Sequence, residues 1–157
     1  MKFSHLRGSE WNPTFEWVET SLECANKINS YHEDYPKYVE ITDKVLQIVK
    51  GGLVIPNYKL LTIHEYIFTD KSFKGKWRDV NVVVGDHHPP RALDTPELMN
   101  ALASSYLISN LEVLLEWYKD FEAIHPFEDG NGRVGGVIVA VHAHAFQPER
   151  GWLAPNQ

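Results

Sequence analysis

The sequence predicts an all-α bundle carrying one short β-hairpin. Three observations support this. Apolar residues recur at helical spacing through most of the 157 positions. Only Gly75 to Gly85 alternates and is rich in β-branched residues, as an extended arm would be. The stretch Val134 to Phe146 is apolar on nearly every side, which suits the centre of a bundle.

The elements follow in order. Phe15, Val18, Leu22, Cys24, Ala25 and Ile28 predict a helix over about Thr14 to His32, with Pro13 just ahead of it. Pro36 opens a second, with Val39, Val45, Leu46, Ile48 and Val49 on its apolar face and Gly51-Gly52 at its end. A third runs from about Tyr58 to Thr69 through Leu60, Leu61, Ile63, Ile67 and Phe68. After the extended arm, Asp86-His-His-Pro-Pro-Arg91 must be a turn, because the prolines bar a helix. Asp94 or Thr95 can cap the next helix, with Pro96 at its start. Helix then continues to about Ala123, with Leu111, Leu114, Leu115, Tyr118 and Phe121 on the buried face. Ser109-Asn110 divides it into two. The last helix spans Val134 to Phe146, and Trp152-Leu-Ala-Pro155 is expected to pack back on the bundle.

A single domain over residues 1–157 is the expectation for a chain of this length. The formal charge of -6 and the lack of a basic stripe argue against nucleic acid as a partner. The cluster Lys71, Lys74, Lys76 and Arg78 reads as a solvated turn. Cys24 is the only cysteine, so no internal disulfide can form. Met1 to Pro13 is polar and unlike a secretory signal, and no apolar run reaches transmembrane length. The expected compartment is the cytoplasm, with no membrane partner; delivery as a secreted effector is left open.

The chemistry concentrates in His125-Pro-Phe-Glu-Asp-Gly-Asn-Gly-Arg133, between two apolar helices. Gly130 and Gly132 let the backbone turn tightly and approach a ligand. The helix that follows points its free N–H groups back at the loop, which makes an anion site. Asn131 tolerates unusual dihedrals and offers a side-chain amide. Arg133 places a cation where the helix dipole disfavours one, which points to an anionic partner such as a polyphosphate. Asp129 is a hard oxygen ligand suited to Mg2+ shared with those phosphates. His125 precedes Pro126, so an extended backbone is expected there. Its imidazole, with an ordinary pKa near ~6.5, suits a general base. Phe127 is expected as the packing anchor under the loop, and Glu128 as solvent-facing. Together these residues suggest phosphoryl-type transfer.

This stretch resembles the signature of the Fic family, His-x-Phe-x-(Asp/Glu)-Gly-Asn-Gly-Arg-x-x-Arg, without a break from His125 to Arg133. Ile63-His64, Phe68, Gly75-Lys-Trp-Arg78, Val80, Val82 and His87-His-Pro-Pro90 resemble the approach to the family's hairpin flap and its exit, so the resemblance implies a domain core at about 63–146. The resemblance implies a Fic-type bundle that transfers AMP from ATP to a Ser, Thr or Tyr hydroxyl of a target protein. On that analogy His125 is the catalytic base and Asp129 the metal ligand. Phe127, Gly130, Asn131, Gly132 and Arg133 form the nucleotide-binding stretch. The flap at Val82, Val83 and Val84 would align the target as an added strand.

The sequence departs from the signature at its second arginine, where Gly136 stands after Gly135. Loss of one charge-assisted contact weakens triphosphate binding by about 1.5–3 kcal/mol. Arg91 or Arg150 could substitute. No inhibitory (Ser/Thr)-x-x-x-Glu-(Gly/Asn) motif is found, so control by a separate antitoxin chain, or no control, is expected. Two alternatives stay open. One is a nucleotide- or antitoxin-binding module with weak transfer. The other is a Fic enzyme that moves UMP, phosphate or phosphocholine. The remaining histidines, His64, His87, His88, His142 and His144, read as surface or core residues rather than a zinc site.

Overall fold

The computed structural model describes residues 54–146 together with two three-residue strands, β1 (Trp17–Glu19) and β2 (Leu153–Pro155). Four helices make up the main body: α1 (Asn57–Ile67), α2 (Thr95–Ser105), α3 (Leu111–Ile124) and α4 (Asn131–Phe146). The strands pair antiparallel, with Val18 opposite Ala154. The helix expected over Thr14 to His32 is therefore corrected at Trp17–Glu19, which is extended. The rest of that segment and the helix expected after Pro36 lie outside the described residues. Among the described residues no helix is long and apolar enough to cross a membrane.

Helices α3 and α4 form the central pair; α2 packs on α3, and α1 touches both α2 and α4. Ile63, Ile67, Met99, Leu102, Leu114, Leu115, Phe121, Val134, Val137 and Ile138 fill the core between them. The break at Ser109-Asn110 is real. Asn110 has extended backbone and its side chain accepts from Val113 N–H at 2.9 Å, starting α3 cleanly. At α2, Pro96 lies in the first turn as expected. Asp94 gives that helix no side-chain cap, because its carboxylate is paired with Arg91 instead.

No β-hairpin forms over 75–85. A single antiparallel bridge, Val84 with His87, closes a two-residue turn at Gly85-Asp86, where Gly85 has φ 58°. The reason lies next to it. Arg78 and His87 send their side chains into the end of α3, so this segment is tied to a helix and not to a second strand.

Gly135 explains the closeness of α3 and α4. A Cβ there would lie 3.0 Å from Phe121 Cε1, 3.1 Å from Tyr118 Cε1 and 3.1 Å from Glu122 Oε1. The approach seals Glu122: the residue as a whole is partly exposed, but its Oε1 is shut from solvent and has no hydrogen-bond partner. Burial raises the Glu122 carboxyl to about 7, only partly opposed by a hydrogen bond from Tyr118. A carboxyl whose folded pKa is raised holds its proton more tightly when folded. Its stability contribution is full below the unfolded pKa and is lost as pH rises through about 7. Urea unfolding at pH 4.5 and pH 8 should therefore show a loss of up to about 3 kcal/mol from this group. Glu122→Gln should flatten the difference; an unchanged pH dependence in the variant would contradict this account of the group.

Candidate active site

The site is built on the six residues that join α3 to α4, His125 to Gly130, and on the first turn of α4. Gly130 fixes its shape. It has φ 86°, which disfavours side chains, and a Cβ would meet Phe68 Cε2 at 2.4 Å. Gly132 differs: nothing lies within 4 Å of where its Cβ would point, and it is exposed. The space before Gly132 thus opens at the N-terminus of α4, where the first N–H groups have no partner inside the helix.

Helix α4 begins three residues earlier than the sequence suggested, and Asn131 is the cause. Its Oδ1 accepts from Phe127 N–H at 2.9 Å and its Nδ2 donates to Phe127 O at 2.8 Å. Val134 N–H then bonds Gly130 O at 3.0 Å. Asn131 is buried, so its amide closes the loop on itself and does not serve as the ligand donor expected of it. Phe127 is likewise corrected as a nucleotide contact. It is fully buried beneath the loop, its ring stacked on His64 with centroids 4.0 Å apart and beside Trp77 at 5.2 Å. The anchor role expected of it holds.

His64 is a core residue that fixes the loop. Its Nδ1 accepts from Gly75 N–H at 3.0 Å, so Nε2 carries the proton and donates to Asp129 O at 2.9 Å. Burial lowers its pKa below 6.5, which agrees with a neutral ring.

Asp129 exposes its carboxylate. Its Oδ1 accepts from Gly130 N–H at 2.8 Å and meets Arg133 at 3.4 Å. Arg133 also lies over the Phe68 ring, 4.6 Å from its centroid. The two charges are thus together at the loop rim, paired with each other. Glu128 is exposed as expected, and Arg91 is paired with Asp94 on the surface.

His125 caps α3 in the left-handed region, φ 52° and ψ 62°, and not with the extended backbone expected before Pro126. Such a conformation costs on the order of 1–3 kcal/mol in a residue other than glycine. Its imidazole lies against the Glu122 carbonyl, with which it hydrogen-bonds. Burial lowers its pKa, that bond opposes the shift, and Arg78 and His87 lower it further. A ring nitrogen committed to the carbonyl leaves the other bare, as a base requires.

Sequence reasoning missed two residues here. Arg78, read as part of a solvated turn, is only 4% exposed, while Lys71, Lys74 and Lys76 are exposed. His87, read as unremarkable, reaches Ala123 O at 2.8 Å. Nothing local marks either one, because the carbonyls they satisfy at the end of α3 lie some 36 to 47 positions away. On the adjoining turn, Val83 and Val84 are exposed and Val82 half-buried.

Residues 55–143 match the model of the Fic/DOC family. The chain is 38% identical over 137 residues to "Protein adenylyltransferase Fic" of Nematostella vectensis, covering 78% of this chain and 31% of that relative. The fold resembles a Fic domain containing signaling protein from Bacteroides thetaiotaomicron, with a TM-score of 0.64 and 18% identity over 73% of this chain and 48% of that one. It also resembles a Fic family protein from Desulfovibrio desulfuricans, with a TM-score of 0.56 and 24% identity over 76% of this chain and 39% of that one. The chain thus spans about a third of the length of the Nematostella relative and less than half of each solved chain. It belongs to the Fic/DOC family and has its helical fold.

The two loop glycines should behave differently. Gly130→Ala must break the contact with Phe68 and strain φ, at a cost of about 2–5 kcal/mol in chemical unfolding. Gly132→Ala has room for its methyl and should unfold like the parent, yet weaken phosphate binding in calorimetric titration with ATP. Equal stability of the two variants would contradict the geometry described.

Proposed function

We propose that this chain is a protein adenylyltransferase that moves AMP from ATP to a Ser, Thr or Tyr hydroxyl of a target protein. The observation that supports it most is the open space before Gly132, at a helix N-terminus and beside the glycine turn at Gly130. A polyphosphate fits the chemistry of that cradle. The name of the Nematostella relative adds support.

In this reading His125 takes the proton of the target hydroxyl on its bare nitrogen. The hydroxyl oxygen forms a bond to the α-phosphorus, the bond from that phosphorus to the bridging oxygen breaks, and pyrophosphate leaves. The first-turn amides of α4 hold the phosphates, and Arg133 supplies charge if it exchanges Asp129 for the nucleotide. Val83 and Val84, exposed on the neighbouring turn, offer the target an edge to lie against.

Mg2+ is tested by its donors. Among the described residues no group of three or more His, Cys, Asp or Glu could hold a metal. One exposed carboxylate, Asp129, does fit a Mg2+ carried mainly by substrate phosphates and water. Bound there, Mg2+ would neutralise charge on the phosphates. A compartment in the cytoplasm and control by a separate antitoxin chain remain parts of the proposal.

Gly136 favours a second reading, a nucleotide- or antitoxin-binding module with little transfer. ATP labelled at the α- or γ-position, with lysate as acceptor, separates the two. Label moving only from the α-position fits adenylylation, γ-label on the target means phosphate transfer, and no transfer with binding retained favours the module. His125→Ala should abolish transfer and keep binding. Because the His125 pKa is lowered, the base form persists at and above pH 6.5. The transfer rate should hold its plateau through neutrality and fall only on the acid side of pH 6.5; an inflection above pH 7 would contradict the assignment.

A further inference from the structure

Six consecutive carbonyls close α3. Phe121 O receives His125 N–H at 2.9 Å, and Glu122 O receives the His125 imidazole. Ala123 O pairs with His87 Nε2 at 2.8 Å. Ile124 O takes Arg78 Nη2 at 3.2 Å, His125 O takes Arg78 Nε at 2.7 Å, and Pro126 O takes Arg78 N–H at 2.8 Å. A helix end normally leaves such groups to water or to a glycine cap. Here one residue on a distant segment satisfies three of them.

Arg78 is buried, and its guanidinium donates to four main-chain oxygens. Its remaining bonds go to Val80 O at 3.0 Å and to Pro90 O. These two carbonyls bracket the turn that carries Val82 to Val84. The guanidinium therefore joins both ends of that turn to the backbone of His125. A cation at the C-terminal end of a helix dipole is favoured there even without a carboxylate. Lysine could supply the charge but not the planar fork that reaches separate carbonyls together.

The geometry points to Arg78, assisted by His87, as the positioning residue of His125: it holds the left-handed cap that aims the imidazole and fixes the exposed valine turn relative to that ring. The inference rests on His125 being the base of the proposed transfer. It adds a reason why a residue other than glycine stays at φ 52° before a proline: its own carbonyl and both flanking ones are held. Arg78 touches neither substrate nor reacting atoms in this scheme. Among the described residues, Arg78 and His87 are the charged or titratable side chains acting on the imidazole, and Glu122 acts through its carbonyl.

The test compares the parent with Arg78→Lys and Arg78→Met, each first shown to fold by its thermal transition. NMR of the His125 ring, titrated from pH 5 to 8, is read alongside the rate of α-label transfer. Arg78→Lys should lower kcat at least tenfold, leave the KM for ATP within twofold and displace the His125 ring resonances. Arg78→Met should also raise the His125 midpoint, because a positive charge is gone. A folded Arg78→Met protein with parental ring resonances, midpoint and kcat overturns the inference. Should Arg78→Met not fold, His87→Ala, which removes one cap contact, must shift the same resonances; parental resonances there overturn it too. If the parent transfers nothing, the ring titration still decides the positioning role, while the transferase reading fails separately.

Discussion

The carbonyl end of α3 is where the segments of this molecule meet. A helix of 14 residues ends beside the loop proposed to carry the chemistry, and its last oxygens cannot be left unpaired in a buried place. Arg78 and His87 satisfy them from a segment that would otherwise be free to pair with itself. That one choice explains the missing hairpin, the left-handed backbone at His125 and the placement of the valine turn. It also sets the electrostatics, since two groups that can carry positive charge next to the imidazole favour its neutral form.

The loop is tied in the same manner on its other side. His64 bonds the main chain at Gly75 and at Asp129, and Asn131 bonds both backbone groups of Phe127. Gly130 then passes so close to Phe68 that no side chain could be added. With the inner face of the loop committed, its outer face holds the space before Gly132, the Asp129 carboxylate and the Arg133 guanidinium, where the proposed ligand would sit. In the proposed transfer, donors fixed in this way would act without rearrangement at the moment of reaction.

Much of this was legible in the sequence. The 3.6-residue apolar repeat placed α1, α2 and α3 to within a few residues, and Asn110 marked the division between the last two. The density of charge and glycine between His125 and Arg133 marked the candidate site, whose role stands as a proposal. What failed needed the third dimension. Asn131 looked like a donor to a ligand, but its partner is the backbone four positions back. Arg78 looked solvated beside three lysines, but it is buried and two of its partners are carbonyls nearly fifty positions on. Val80 to Val84 alternates like a strand, but a strand also needs a neighbour, and here side chains reach a helix end instead. Gly135 carried no packing signal in the sequence, but its missing side chain allows the close contact with Tyr118, Phe121 and Glu122.

The central claim is that the N-terminal turn of α4 grips a nucleotide's phosphates beside His125. Amide NMR of the isotopically labelled protein, titrated with ATP and Mg2+, tests it most directly. The account predicts the largest shifts at Gly130, Asn131, Gly132 and Arg133, with the His125 ring responding and α2 unmoved. Saturable shifts centred elsewhere, with these four amides unchanged, would contradict it.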